Sequence, residues 1–288
     1  MPAIKELGGT SGMSNVKLVI HGNDIRRTKE EGILIERSRE AEECCVGDVV
    51  SATATSLTRV PGKGYGTKGI KTWAKNFWQD RTVVVVNGRG LGQVRQVVAN
   101  TESTLTVDRP WDVVPDASSV FSVMHHTDNV LIENNTITDT GKASIAPYLC
   151  CGTTVRNNRM SLCRNHEWDT ATVEMLCSNV NGQFGDNDGT LWPNYNNVIE
   201  KNTIDQQRSM VGIRVGNTNF SSQLPQFRAG ISTYNIRIEN NTVDMKGATN
   251  GPNAIVGGKS AFTGSVGIVV ESCYQDETRN VIVRGNTV

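Results

Sequence analysis

The sequence predicts an all-β chain wound as a stacked solenoid, with a small β subdomain inserted near its start. Three observations predict it. A short phrase recurs six times, the copies are separated by unequal intervals that share one internal pattern, and the composition suits short strands joined by tight turns. Hydrophobic residues make up 37% of the 288 residues and aromatics only 6%, with 28 glycines, which argues against a helical bundle.

The phrase is clearest in Asn129-Val-Leu-Ile-Glu-Asn-Asn-Thr-Ile137, Thr153-Thr-Val-Arg-Asn-Asn-Arg-Met160 and Asn197-Val-Ile-Glu-Lys-Asn-Thr-Ile204. It returns in Asn235-Ile-Arg-Ile-Glu-Asn-Asn-Thr-Val243 and Asn280-Val-Ile-Val-Arg-Gly-Asn-Thr-Val288, and more loosely in Asn15-Val-Lys-Leu-Val-Ile-His-Gly-Asn-Asp-Ile25. Its recurring asparagines stand at 23, 135, 158, 202, 241 and 286. Between them lies a second signature: Gly32-Ile-Leu-Ile35, Ser144-Ile-Ala-Pro147, Thr172-Val-Glu-Met175, Gly212-Ile-Arg-Val215 and Gly267-Ile-Val-Val270. The shortest interval, from 135 to 158, is the bare unit, and the others are that unit with loops inserted. A constant motif with variable loops marks a stacked coil.

The asparagine has a physical reason. A sharp bend between two strands needs a residue at φ > 0, which Asn tolerates best among non-glycine residues. Stacked asparagines can also hydrogen-bond from coil to coil. Alternation then points Val130, Ile132, Ile137 and Ile145 inward and Leu131, Glu133 and Ala146 outward.

On these repeats the chain resembles the right-handed parallel β-helix superfamily, the pectate-lyase-like fold, over about residues 15–40 and 123–288. The resemblance implies a fold and leaves the chemistry open. It implies an extracellular, cell-surface or virion setting and a polysaccharide partner.

In chain order, residues 1–14 are Gly- and Ser-rich and read as a poorly ordered lead-in. Residues 15–40 form the first coil, with the charged run Arg26–Glu31 as a solvated turn. The period breaks from 41 to 124, where an inserted β subdomain is expected. Its strands are Gly47–Leu57, Thr82–Val86, Gln93–Val98, Thr104–Val107 and Ser119–Val123. Gly88-Arg-Gly-Leu-Gly-Gln-Val-Arg95 with Asp108–Asp116 resembles a small β module of large bacterial and phage β-helix proteins. Gly64-x-Gly66 and Gly88-x-Gly90-x-Gly92 lack the strand-loop-helix setting of a phosphate cradle and read as hairpin turns. Trp73, Trp78 and Trp111 are either sugar-stacking faces or packing of the subdomain.

Residues 125–288 carry the remaining coils. Loops at about 177–196 and 216–234, and the subdomain itself, leave after the Gly-Ile-x-Val strands, suggesting a groove walled beside that sheet. A further insertion, about 245–266, enters the last of these strands. No cap is recognisable at either end, so a homo-oligomer, or continuation of a longer chain through the coil ends, is expected.

Lys+Arg and Asp+Glu both number 29, so the balance gives no case for nucleic acid as a partner. No apolar run is long enough for a membrane span, and the N-terminus lacks a signal-peptide core. The seven cysteines, including the adjacent pairs Cys44-Cys45 and Cys150-Cys151, lack metal or disulfide spacing and read as buried fillers.

For chemistry, the first outward row of the Gly-Ile-x-Val sheet reads Leu34, Ala146, Glu174, Arg214, Val269, and the next Glu36, Tyr148, Leu176, Gly216, Glu271. Glu174 and Arg214 should be neighbours about 4.8 Å apart. His166, Asp169, Arg208 and the Asp186-Asn-Asp188 run enter the same region. A glycosidase would pair Glu174 with Asp169 or a loop aspartate. A lyase would use Arg214, or His166 as an alternative base, with Asp186 and Asp188 holding calcium. Otherwise no cofactor is required. Tyr148, Arg208, Trp192, Glu36 and Glu271 are the candidate substrate contacts. Alternatively, Glu174–Arg214 is a surface ion pair without function, since the polygalacturonase-like Gly-His-Gly and pectate-lyase Arg-x-x-x-Arg signatures are missing. The chain is then a non-catalytic glycan-binding adhesin or tail-fibre-like module. His125-His126 shows no metal partners in the sequence and reads as a hinge between subdomain and coil.

Overall fold

A computed structural model of the chain describes residues 2–8, 15–37, 44–61, 72–124, 126–164, 171–178, 191–205, 211–218, 230–246, 255–256, 259–260, 265–272 and 277–288. The phrase copies and the Gly-Ile-x-Val strands stack in parallel around one lumen, giving a right-handed parallel β-helix. Among the described residues, one face is a six-stranded sheet of Ile4–Gly8, Ile33–Arg37, Ile145–Pro147, Ala171–Ser178, Val211–Thr218 and Val266–Val270. A second, ten-stranded sheet holds the Val-x-Ile strands and, one corner earlier, Thr127–Asp128, Cys150–Cys151 and Asn194–Tyr195. A third, five-stranded sheet follows the asparagine bend, from Asp24–Thr28 to Thr242–Val243.

Each sheet sends one column of aliphatic side chains inward. Ile33, Ile145, Val173 and Ile213 pair in register on the first sheet. Ile20, Ile132, Val155, Ile199 and Ile238 do so on the second. The third contributes Ile25, Ile137, Met160, Ile204 and Val243. All of them join one buried cluster. Burial of each such side chain stabilises the coil by roughly 1.5–3 kcal/mol.

The asparagine ladder is present, but its two expected tasks fall to adjacent residues. Side-chain amides run Asn23→Asn135→Asn158→Asn202→Asn241→Asn286 at 2.8–3.0 Å, each Nδ2 donating to the next Oδ1. The positive φ belongs to the residue before each: Gly22, Asn134, Asn157, Lys201, Asn240 and Gly285. A ladder asparagine must aim its side chain into the lumen wall, so its neighbour makes the bend. A second column of positive φ, at Lys17, Asn129, Gly152, Asn196, Asn235 and Asn280, turns the chain into the Val-x-Ile strands.

Two expectations need correction, and one open alternative is decided. The lead-in supplies a strand, Ile4–Gly8, paired in parallel with Ile33–Arg37, because Ile4, in register with Ile33, extends the lumen column. Gly47–Leu57 is not one strand but a hairpin of Cys44–Thr53 and Ser56–Arg59, broken at Ala54-Thr55. Trp73, Trp78 and Trp111 lie inside the subdomain core with Phe121 and Val83 and offer no stacking face.

That subdomain is a closed barrel of Cys44–Thr53, Ser56–Arg59, Thr82–Asn87, Val94–Asn100, Thr104–Val107 and Val120–Met124. Its strand Thr82–Asn87 is buried on both faces. Val83 and Val85 fill the barrel, while Val84 and Val86 pack on Cys151, Leu191, Tyr195 and Ile231 of the coil. An unbroken valine run is what two-sided burial demands. The barrel therefore docks on the ten-stranded sheet, one corner beyond the face expected to carry the groove.

Candidate functional site

The outer row of the six-stranded sheet has the expected register: Leu34 beside Ala146, and Glu174 beside Arg214 and then Val269. Its environment differs from expectation. Leu34, Ala146, Glu174 and Arg214 are all buried, with Glu174 0% and Arg214 1% exposed. Ala146 does face away from the lumen, but it packs with Leu34, Ala143 and Tyr148 instead of meeting solvent.

Arg214 sits between two carboxylates. Its Nη1 donates to Glu174 Oε1 at 2.8 Å, and its Nε and Nη2 lie 2.7 and 2.6 Å from Glu271 Oε1. Tyr148 Oη donates to Glu174 Oε2 at 3.2 Å. Gly216 makes this reach available: a Cβ there would lie 2.5 Å from both Glu271 Cγ and its carbonyl oxygen. Burial opposes charge on Arg214, but Glu174 and Glu271 outweigh it and raise its pKa. Burial likewise raises the Glu271 carboxyl, with Arg214 opposing. The cluster is thus a buried ionic network and not the surface pair considered from sequence.

Of the other candidates, Trp192 is 3% exposed, packed with Cys44, Met124 and Leu149 where barrel meets coil, so its ring cannot stack on a sugar. Glu36 lies in the strand Ile33–Arg37, at the position continuing the Tyr148 row. His166, Asp169, Arg208, Asp186 and Asp188 lie outside the described residues, and the calcium expectation with them.

A site that sequence reasoning missed lies at the barrel–coil junction. A cleft of about 620 Å³ runs between the two. Its barrel wall carries Gln93, Arg95, Gln96, Asp108, Arg109 and Asp112, and its coil wall Lys17, Asp128, Asn129, Cys151, Gly152 and Asn196. The walls are locked together: Asn196 Nδ2 donates to Gly92 O at 3.2 Å, and Ser122 Oγ donates to Leu191 O at 2.7 Å. Gly92, at φ 94°, sits flat on Tyr234, where a Cβ would come within 2.6 Å of the ring. Arg95 is fixed by Pro110 O and Asp112, whereas the Arg109 head is more than half exposed.

Asp128 and Cys151 line this cleft, and His126 lies buried against them. His126 Nδ1 lies 2.5 Å from Asp128 Oδ1, and its Nε2 lies 3.0 Å from Pro193 O and 3.7 Å from Cys151 Sγ. Thr82 Oγ1, from the barrel, donates to Asp128 Oδ2 at 2.6 Å. Burial opposes a charged ring, but Cys151 and Asp128 outweigh it, so the His126 pKa is raised well above the ordinary imidazole value. Burial pushes the Cys151 thiol up, with His126 opposing. His126 is therefore the joint of barrel and coil, as its chain position suggests, and it has the partners that the sequence reading did not find. The signal was available: Cys151 follows Asp128 by the same minimal interval that separates Asn135 and Asn158, and the two pair in adjacent rungs.

No protein-family model matches the chain, and no curated protein matches it. Among the solved structures to which the chain is similar are two phage tailspikes. The Pseudomonas phage phi297 tailspike gp61 is 14% identical, with 80% of this chain and 47% of that one covered and a TM-score of 0.30. The tailspike gp49 of Pseudomonas phage LKA1 is 10% identical, with 94% and 47% covered and a TM-score of 0.25. The chain spans about half the length of either tailspike. Among the described residues no helix is long and apolar enough to cross a membrane.

Proposed function

We propose that this chain is a polysaccharide-binding β-helix module of a virion or cell surface, holding its glycan in the barrel–coil cleft without cleaving it. The observation that carries this reading is the cleft's polar lining, in which amide, guanidinium and carboxylate groups from barrel and coil converge. A polyhydroxylated chain needs many such donors and acceptors in fixed positions. The coil supplies rigidity through its asparagine ladder, and the barrel supplies the second wall.

Catalysis by Glu174 and Arg214 has weak support by comparison. A glycosidase needs one carboxyl ready to give a proton and another ready to act as base or nucleophile beside the scissile bond. Here Glu174 and Glu271 both accept from the same guanidinium, and Glu174 and Arg214 are shut away from solvent. Glycan-array binding combined with an assay for reducing and unsaturated ends tests the reading. Retention of a glycan without product release is expected, and Arg109→Ala with Asn129→Ala should weaken binding about tenfold. Steady release of new chain ends, or binding indifferent to both substitutions, would overturn it.

A further inference from the structure

Among the described residues, one cluster brings a thiol, an imidazole and a carboxylate together: His126, Asp128 and Cys151. One ligand atom from each lies within 4.8 Å of the others, and the residues are 3%, 7% and 2% exposed. Their placement is set by the coil. His126 and Asp128 are two residues apart, and Cys151 pairs with Asp128 on the next rung. Neither the ionic row nor the glycan reading makes use of this grouping.

We propose that the cluster is a binding site for one soft divalent cation, zinc by its ligand set, held by His126, Asp128 and Cys151. A mixed sulfur, nitrogen and oxygen set suits zinc, whereas calcium and magnesium take oxygen ligands. Zinc bonds of about 2.0–2.3 Å put tetrahedral ligand atoms roughly 3.3–3.7 Å apart. The ion takes His126 Nδ1, the ring nitrogen that faces Asp128, and Cys151 Sγ, 3.7 Å from Nε2 of the same ring, must swing toward it. The 2.5 Å contact between His126 and Asp128 must open by about an ångström as the ion replaces the shared proton.

Electrostatics favours the same occupant. A thiolate and a carboxylate balance a doubly charged ion, so the buried site stays neutral, as a low-dielectric setting requires. The outer contacts are also in place. Thr82 Oγ1 holds Asp128 Oδ2 and leaves Oδ1 toward the cluster, the kind of support that orients a metal-binding carboxylate. Pro193 O, 3.0 Å from His126 Nε2, accepts from the ring's other nitrogen and so turns Nδ1 toward the ion. Asp128 and Cys151 line the cleft, which gives the ion an entry path and a water for its remaining position. Binding would fasten the barrel to the coil, and the proposal stands whether or not the cleft takes a glycan.

The test uses the full chain, stripped with a chelator and titrated with cobalt chloride and then zinc chloride. One cobalt per chain is expected, with a near-ultraviolet thiolate-to-cobalt band and the visible bands of four-coordination, both displaced by zinc. Cys151→Ser should abolish the thiolate band, and His126→Gln and Asp128→Asn should each weaken binding tenfold or more. Thr82→Val, which removes no ligand, should keep one ion per chain. Far-ultraviolet circular dichroism checks that each variant folds. If the ligand variants do not fold, the wild-type titration decides alone. Folded wild type without a thiolate band at stoichiometric cobalt would overturn the proposal, as would a band that survives in Cys151→Ser.

Discussion

The Glu174–Arg214–Glu271 row and the His126–Asp128–Cys151 group are both buried charged clusters, but they are assembled in different ways. The row is made by register. Glu174 and Arg214 are partners on adjacent strands, and Glu271, just past the end of the next strand and beside Gly216, reaches back to Arg214 across that glycine. The group is made by docking. Register brings Asp128 to Cys151, but the barrel's Thr82 and the Pro193 carbonyl complete the set and cover it. Register therefore says which side chains meet on a solenoid, and docking decides whether they meet solvent.

The largest expected effect separates a paired from an unpaired buried charge. Arg214→Met leaves Glu174 and Glu271 facing each other and should cost about 3–5 kcal/mol of unfolding free energy by denaturant titration. Replacing all three charged residues with apolar ones of similar volume should be near neutral, which a single-site loss of catalytic machinery would not mimic. Next comes the register itself. Asn158→Ala removes side-chain bonds to Ile132 O, Arg156 O and Asn202 Oδ1, and deprives Asn135 of its acceptor. It should cost about 3 kcal/mol, seen as a lower denaturation midpoint.

Gly92→Ala attacks the docking instead. Its Cβ would press on Tyr234 from a backbone conformation alanine resists, for about 1–3 kcal/mol. The expected signature is faster labelling of Cys151 by a thiol reagent with the row cluster intact. Unchanged labelling would mean that the barrel does not shield the group.

The smallest effect is a pH slope. Burial raises the folded pKa of Glu271 above the ordinary carboxyl value, with Arg214 opposing. The folded protein thus keeps this proton to higher pH than the unfolded chain does. Its contribution to stability is full below about 4.3 and fades as pH rises through the raised folded value. Glu271→Gln should remove that part of the slope in melting temperature against pH.

The coil was legible because each rung repeats one local solution. The asparagines at 23, 135, 158, 202, 241 and 286 form a ladder, and the row Leu34, Ala146, Glu174, Arg214, Val269 keeps its order. The Glu174–Arg214 adjacency follows from period-two alternation alone, and so does the inward set Val130, Ile132, Ile137 and Ile145. Composition showed the barrel's strands but not the face on which they dock, because Val84 and Val86 carry no label saying what lies across from them.

What the sequence determined by itself, then, is periodic: which residues enter the lumen, which stack, and which neighbours share a rung. Tertiary structure alone decided exposure. It closed Glu174 and Arg214 away from solvent, and it seated the barrel over Asp128 and Cys151 so that a cleft opened where the repeat shows nothing unusual. The physical reason is that strand alternation is set by bonds between adjacent residues, whereas burial depends on surfaces brought together from distant parts of the chain.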